Sequence, residues 1–170
     1  MNYLTDKEIR EICEEYSIKK YTINDDGSID VDGNVYLHGC GLDKLPLKFN
    51  HVSGDFWCHA NKLTTLEGCP QSVSGDFYCS NNILSTLEFS PKSVGGDFYC
   101  VINKLTTLEG APQSIGGTFN CGYNKLTTLE VCPKSVGGDF YCFNNPIYDK
   151  LGNIDYKSYI KQLYRDKILN

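Results

Sequence analysis

The chain has 170 residues, 41% of them apolar, which is enough to bury one continuous hydrophobic core. Its formal net charge of -5 and pI of about 5.1 argue against nucleic acid or an anionic membrane as its main partner. The first residues lack a secretory signal, and no segment reaches the roughly 20 apolar residues that cross a bilayer, so we expect a cytoplasmic protein.

Residues 1–32 predict an N-terminal cap made of a helix and a β-hairpin. Thr5 followed by Glu8 has capping-box spacing, and the next apolar residues recur at helical intervals, so we expect an amphipathic helix over about residues 5–17. The segments 21–23 and 29–31 flank an Asn-Asp-Asp-Gly-Ser turn and predict a pair of strands. The turn lacks the ligand spacing of an EF-hand, which favours a plain turn over a calcium site.

From Gly33 onward, the sequence repeats every 21 residues without an insertion. The first position of the repeat is Gly33, Gly54, Gly75, Gly96, Gly117 and Gly138. Position 3 is Val35, Phe56, Phe77, Phe98, Phe119 and Phe140, and position 5 is Leu37, Cys58, Cys79, Cys100, Cys121 and Cys142. Residues two apart on a strand share a face, so we expect positions 3 and 5 to point inward and positions 2, 4 and 6 outward.

Two further columns complete the repeat. Position 8 is Asn61, Asn82, Asn103, Asn124 and Asn145, whose side chains we expect to bond backbone groups of the turns above and below. Position 17 is Pro70, Pro91, Pro112 and Pro133, which we expect to exclude sheet or helix on the return path. Residues 33–148 therefore predict a solenoid of six 21-residue turns, with a parallel β-sheet on one face and an extended, irregular outer face.

The repeat ends at Asn144-Asn145-Pro146, and residues 149–170 predict a C-terminal helical cap. Apolar residues recur there at helical intervals, at Tyr156, Tyr159, Ile160, Leu163, Tyr164 and Ile168. A solenoid needs such covers because its terminal turns otherwise expose apolar edges.

The repeated unit contains Phe-x-Cys-x-x-Asn-x-Leu, which matches half of the leucine-rich-repeat signature. Residues 20–148 resemble leucine-rich-repeat proteins encoded in bacteriophage genomes, and the repeat is similar to the short repeats of bacterial effectors, here with one extra glycine before the strand. The resemblance implies a right-handed solenoid that binds another protein. A phage origin implies a bacterial host protein as target, such as a defence component, met in the host cytoplasm. No catalytic residues come with the resemblance.

The outward strand positions are the candidate partner-binding surface. Position 4 is Tyr36, Trp57, Tyr78, Tyr99, Asn120 and Tyr141, and position 2 includes Asp55, Asp76, Asp97 and Asp139. The aromatic row either stabilises the sheet by contacts between strands or forms a binding hot spot, and we favour binding. The aspartates either accept N–H groups of their own Gly-Gly turns or face a basic partner.

Three other groups of residues are candidates. In one row Thr118, Asn120, Gly122 and Tyr123 depart from the repeat, with Val101, Ile102 and Phe143 beside them, so we interpret this place as a partner-specific notch unless it reflects drift. His38 and His59 share position 6, where they form either polar coverage or a metal or proton-transfer pair; we include His59 in the binding surface. The cysteine column lacks zinc-site spacing and predicts buried thiols.

These observations favour a non-enzymatic module that binds and inhibits a host protein with a basic or mixed surface. We expect no catalytic residue, metal or cofactor, and association of like chains stays open. The alternatives are a small-molecule or nucleotide sponge, with pockets at the caps or between protomers, and a structural or self-assembling protein.

Overall fold

The computed structural model describes residues 4–151 and 158–159, which form a β-solenoid of about five turns with two parallel sheets. The first sheet contains β1 (Tyr21–Ile23), β2 (Ile29–Val31), β4 (Phe49–Val52), β6 (Ser72–Val73), β8 (Ser93–Val94), β10 (Ser114–Ile115) and β12 (Ser135–Val136). The second sheet contains β3 (Val35–Tyr36), β5 (Phe56–Trp57), β7 (Phe77–Tyr78), β9 (Phe98–Tyr99), β11 (Phe119–Asn120) and β13 (Phe140–Tyr141).

The number of turns and the outer face both differ from expectation. The sixth repeat continues into a short helix, α2 (Pro146–Leu151), soon after its strand and does not complete a turn. The second sheet therefore has six strands, while the solenoid has about five turns. The face predicted to be irregular carries a sheet, because a proline removes only its own N–H. Pro70 precedes β6 by two residues, and the donors that flank this strand, Gln71 and Ser74, bond the preceding turn at 2.7 and 3.0 Å.

The N-terminal residues form the predicted helix and hairpin. Helix α1 spans Asp6–Glu15, and Thr5 and Glu8 make the reciprocal bonds of a capping box. Its apolar face buries Ile9 and Cys13 in the core. Strands β1 and β2 are antiparallel, but β2 also pairs with β4, so the hairpin extends the first sheet. That α1 caps the stack stays a prediction.

The predicted C-terminal helix lies almost wholly outside the described residues. Of its apolar positions, only Tyr159 is described, and it is half-buried against the hydrophobic core.

Positions 3 and 5 point inward, as the alternation predicts. The side chains of Phe56, Phe77, Phe98 and Phe119 are fully buried, and the ring centroids of consecutive turns lie 5.0–5.6 Å apart. The cysteine side chains of position 5 lie beside these rings; they are buried and form no disulfide bonds. Burying each phenylalanine contributes about 1.5–3 kcal/mol, so this column supplies much of the stability of the coil.

The asparagine column joins each turn to the turn before it. Asn103 donates to the carbonyls of Cys79 and Cys100 at 3.1 and 3.2 Å, and its Oδ1 accepts the N–H of Leu84 at 3.0 Å. Asn82 and Asn124 make the same three bonds one turn away. The side chain therefore bonds its own turn and the preceding one, where the sequence predicts bonds to both neighbours.

Replacing Asn103 by alanine is expected to lower the free energy of unfolding by about 1–3 kcal/mol, because it leaves the buried N–H of Leu84 without a partner, while the carbonyls of Cys79 and Cys100 keep their bonds from the asparagines of the neighbouring turns. Urea denaturation measures the difference. The control is Q113A, which changes an exposed side chain and is expected to cost less than about 0.5 kcal/mol. Equal stability of N103A and Q113A would show that this column does not hold the turns together.

Candidate functional site

The second sheet presents a continuous row of aromatic rings from Tyr36 to Tyr99, at position 4 of the repeat. In-register parallel pairing places Tyr36 beside Trp57 and Tyr78 beside Tyr99. Neighbouring ring centroids are 5.2, 5.4 and 5.0 Å apart, edge-on at Trp57 and stacked between the last two tyrosines. Asn120 interrupts the row, and Tyr141 continues it at the C-terminal end. We call the outward residues at positions 2, 4 and 6 of this sheet the strand face.

The aspartates at position 2 of the strand face form a ladder of their own. The Oδ1 atoms of Asp55, Asp76 and Asp97 accept the backbone N–H of the residue 21 positions later, at 2.8, 2.7 and 2.6 Å. The first of the two predicted roles, a bond from each carboxylate to its own Gly-Gly turn, is wrong in its partner, because the N–H belongs to the next turn. The second role, contact with a basic partner, stays a prediction. This bond offsets the repulsion between carboxylates stacked one turn apart.

The second oxygen of the carboxylate holds the tyrosine two residues later. Tyr78 donates to Asp76 at 3.1 Å and Tyr99 to Asp97 at 3.3 Å, and Tyr141 donates to Asp139 at 2.9 Å. Burial, followed by the nearby carboxylate, raises the pKa of Tyr78, so its phenol remains a neutral donor. The rings are thus fixed before any partner arrives, which lowers the entropy cost of binding.

A shallow cavity of about 310 Å³ lies on the strand face, lined by Trp57, His59, Tyr78, Ser80 and Tyr99. Its volume is at the low end of the range for small-molecule pockets. Within the described part of the chain, Trp57 Nε1 and His59 Nδ1 have no hydrogen-bond partner. Both atoms are enclosed by neighbouring rings, since Trp57 contacts both His38 and His59.

The two histidines at position 6 stack on each other. The ring centroids of His38 and His59 are 5.0 Å apart and their planes differ by 6°. Partial burial lowers the pKa of His59, and the neighbouring His38 lowers it further. Across residues 4–151 no three histidine, cysteine or acidic side chains are grouped as metal ligands.

The predicted notch is filled by a ring from the next turn. Gly122 is buried, and a Cβ added to it would lie 2.8 Å from Cε2 of Phe143. Phe143 also meets Tyr123 edge-on at 5.3 Å, while Val101 is half-buried on the other side. The absent side chain at Gly122 therefore lets Phe143 lie against the strand, and this end of the strand face is apolar.

Sequence reasoning missed a feature at position 7, where every turn adopts the left-handed conformation. Gly39, Asn81 and Asn144 suit it, but Ile102 and Tyr123 also have φ of 57° and 52°. A β-branched residue is rarely found there. The recurrence of glycine and asparagine in the other rows was the available signal.

His59 is expected to make the fold less stable in mild acid. Its folded pKa lies below the ordinary value of 6.5, so the unfolded chain binds more protons between those two values. The stability is fully present above pH 6.5 and falls as the pH drops through that interval. Urea denaturation at pH 7.5 and 5 is expected to show a smaller difference for H59Q than for the unaltered chain. Q113A, which changes an exposed side chain and leaves every histidine in place, is the control and keeps the full difference; an unchanged difference in H59Q contradicts the assignment.

Comparisons with known proteins leave the family open. No protein-family model, no curated protein and no solved structure matches the chain. Within the described residues, no helix is long and apolar enough to cross a membrane.

Proposed function

We propose that the chain is a solenoid of the leucine-rich-repeat type whose function is to bind another protein through the strand face. The observation that carries the proposal is the aromatic row from Tyr36 to Tyr99, with phenols fixed by Asp76 and Asp97. Tyrosine and tryptophan are enriched at binding hot spots. Rings held in one orientation lose little freedom when a partner covers them.

Charge on the strand face favours a partner with a basic or mixed surface. Asp55, Asp76 and Asp97 are half-buried and remain acceptors at the edge of the aromatic row. Positions 2, 4 and 6 hold no lysine or arginine in any row. Opposite charge on the partner increases the association rate and disfavours acidic competitors.

The resemblance to phage-encoded repeat proteins extends the proposal to the partner. It makes the partner a bacterial host protein, met in the cytoplasm and inhibited by being covered, with a defence component as one candidate. The binding is non-enzymatic, and the strand face acts by occupying a surface. Residues of the apolar end, Val101, Tyr123 and Phe143, are proposed to border the contact, together with Asn120.

The cavity beside Trp57 supports a second candidate, a small-molecule sponge. Three aromatic rings, His59 and Ser80 line it, which suits a planar ligand with one polar group. A ligand that binds the folded state raises the melting temperature by mass action, so a thermal-shift panel of nucleotides tests this alternative.

Replacing Trp57 by alanine is expected to abolish capture of the partner from bacterial lysate, and to weaken the purified complex at least about 30-fold, as truncation of a central hot-spot residue does. The matched control is Y148A, which removes an exposed tyrosine on α2. Thermal denaturation confirms that both variants are folded. Capture of the same protein by W57A and the unaltered chain would overturn the proposal.

A further inference from the structure

Each coil has a third side, between the strand face and the first sheet, that carries opposite charges on its two edges. We call it the Lys-Glu side: it consists of residues 62–67, 83–88, 104–109 and 125–130. Its leucines are buried, while Lys62, Lys104, Glu67 and Glu109 are exposed. In the described part of the chain, none of these four charged side chains forms an ion pair.

Hydrogen bonds fix the backbone at both charged columns, between turns at the lysine edge and within each turn at the glutamate edge. The N–H of Lys104 bonds the carbonyl of Leu84 at 2.8 Å, and Lys62 bonds Leu42 at the same distance. At the other edge, the N–H of Glu67 and of Glu109 donates to the threonine hydroxyl two residues earlier, at 3.1 and 3.3 Å. Each of these four turns therefore contributes one glutamate to one edge and one lysine to the other, except that Ile83 replaces the lysine in one turn.

Exposed apolar residues in an unfavourable backbone conformation border both edges. Beside the lysine column, Ile102 has a φ of 57° and is 53% exposed. Beside the glutamate column, Phe89 has a φ of 66° and is 59% exposed, where the neighbouring turns have Gly68 and Gly110. Left-handed backbone is unfavourable for bulky residues, and at this exposure little packing within the chain compensates. Contact with another molecule would bury these two side chains and so offset the cost of their backbone conformation.

We propose that the Lys-Glu side is an interface between two copies of this chain. A two-fold axis parallel to the stack brings the lysine edge of one copy against the glutamate edge of the other, and the reverse. Lys62 then faces Glu67 of the partner subunit, and Lys104 faces Glu109 of the partner subunit, turn by turn.

The complement of each edge is present on the chain itself. Charges that recur once per turn, about 4.8 Å apart, match a second surface with the same spacing, and another coil of this chain has it. The apolar residues agree with the charges, since the edge with Ile102 meets the edge with Phe89. Positions 2, 4 and 6 lie outside the Lys-Glu side, so this proposal does not depend on the proposed function; the column that contains Ile102 and Tyr123 borders both surfaces.

Charge exchange between two variants tests the interface. Sedimentation equilibrium at low ionic strength and about 100 µM chain is expected to give the mass of a dimer. K62E/K104E and E67K/E109K each place like charges together, so each alone is expected to associate at least about 10-fold more weakly. An equimolar mixture is expected to restore the dimer, because each variant then faces its opposite. A monomeric unaltered chain, or a mixture that stays monomeric, would overturn the proposal.

The variant I102N gives a second test, because it is expected to change the stability of the monomer and the strength of the dimer in opposite directions. A purely structural role of Ile102 would not produce this combination. Asparagine suits the backbone of this position, so the monomer is expected to melt about 2–4 °C higher, while the dimer weakens about 10-fold. W57A, on the strand face, is expected to leave the dimer mass unchanged, which separates failure of this proposal from failure of the proposed function. A more stable I102N chain that dimerises like the unaltered chain would overturn the role of this edge.

Discussion

The structure depends on one constraint: every turn must place its backbone groups directly over the same groups of the preceding turn, so that hydrogen bonds can join the two turns. The asparagine side chains meet it on the inside, because each bonds one N–H and two carbonyls across two turns. The aspartate carboxylates meet it on the outside by accepting the N–H of the next turn. An inserted residue would shift both ladders at once, which explains why the 21-residue spacing is unbroken from Gly33 to Gly138.

The same constraint creates the candidate site. Once the turns are in register, any residue type that recurs at an outward position becomes a continuous column on the surface. The tyrosines become a row of contacting rings, and their hydroxyls reach the aspartates that already bond the backbone. The contacts that stabilise the row are thus the same contacts on which the proposed recognition depends.

The sequence predicts the interior well because alternation and period are local and repeated. Positions 3 and 5, mostly phenylalanine and cysteine, are inward and position 4, mostly tyrosine, is outward, and the helix near Thr5 begins where its capping box indicates. The first sheet is not predicted from the sequence, because proline at position 17 indicates an extended path without a strand, although the ladder begins just after it.

Other features depend on contacts between rows that no single row contains. The ring of Phe143 over Gly122 and the aspartate bond to the following turn are both of this kind. The left-handed backbone at Ile102 cannot be predicted from its own row, because isoleucine is a residue that rarely adopts this conformation. Such features can be recognised only when the turns are seen stacked on one another, whereas the periodic features can be predicted from the sequence.

The central claim is the register itself, with thiols inside the coil and tyrosines outside. The chain has nine cysteines, of which Cys40 is exposed and the other eight are buried. Burial also raises the pKa of Cys100 and Cys121, which keeps these thiols protonated and unreactive. Titration with a thiol reagent tests the claim most directly: one cysteine is predicted to react rapidly in the folded protein, and all nine in denaturant. Rapid reaction of several cysteines without denaturant would contradict the register.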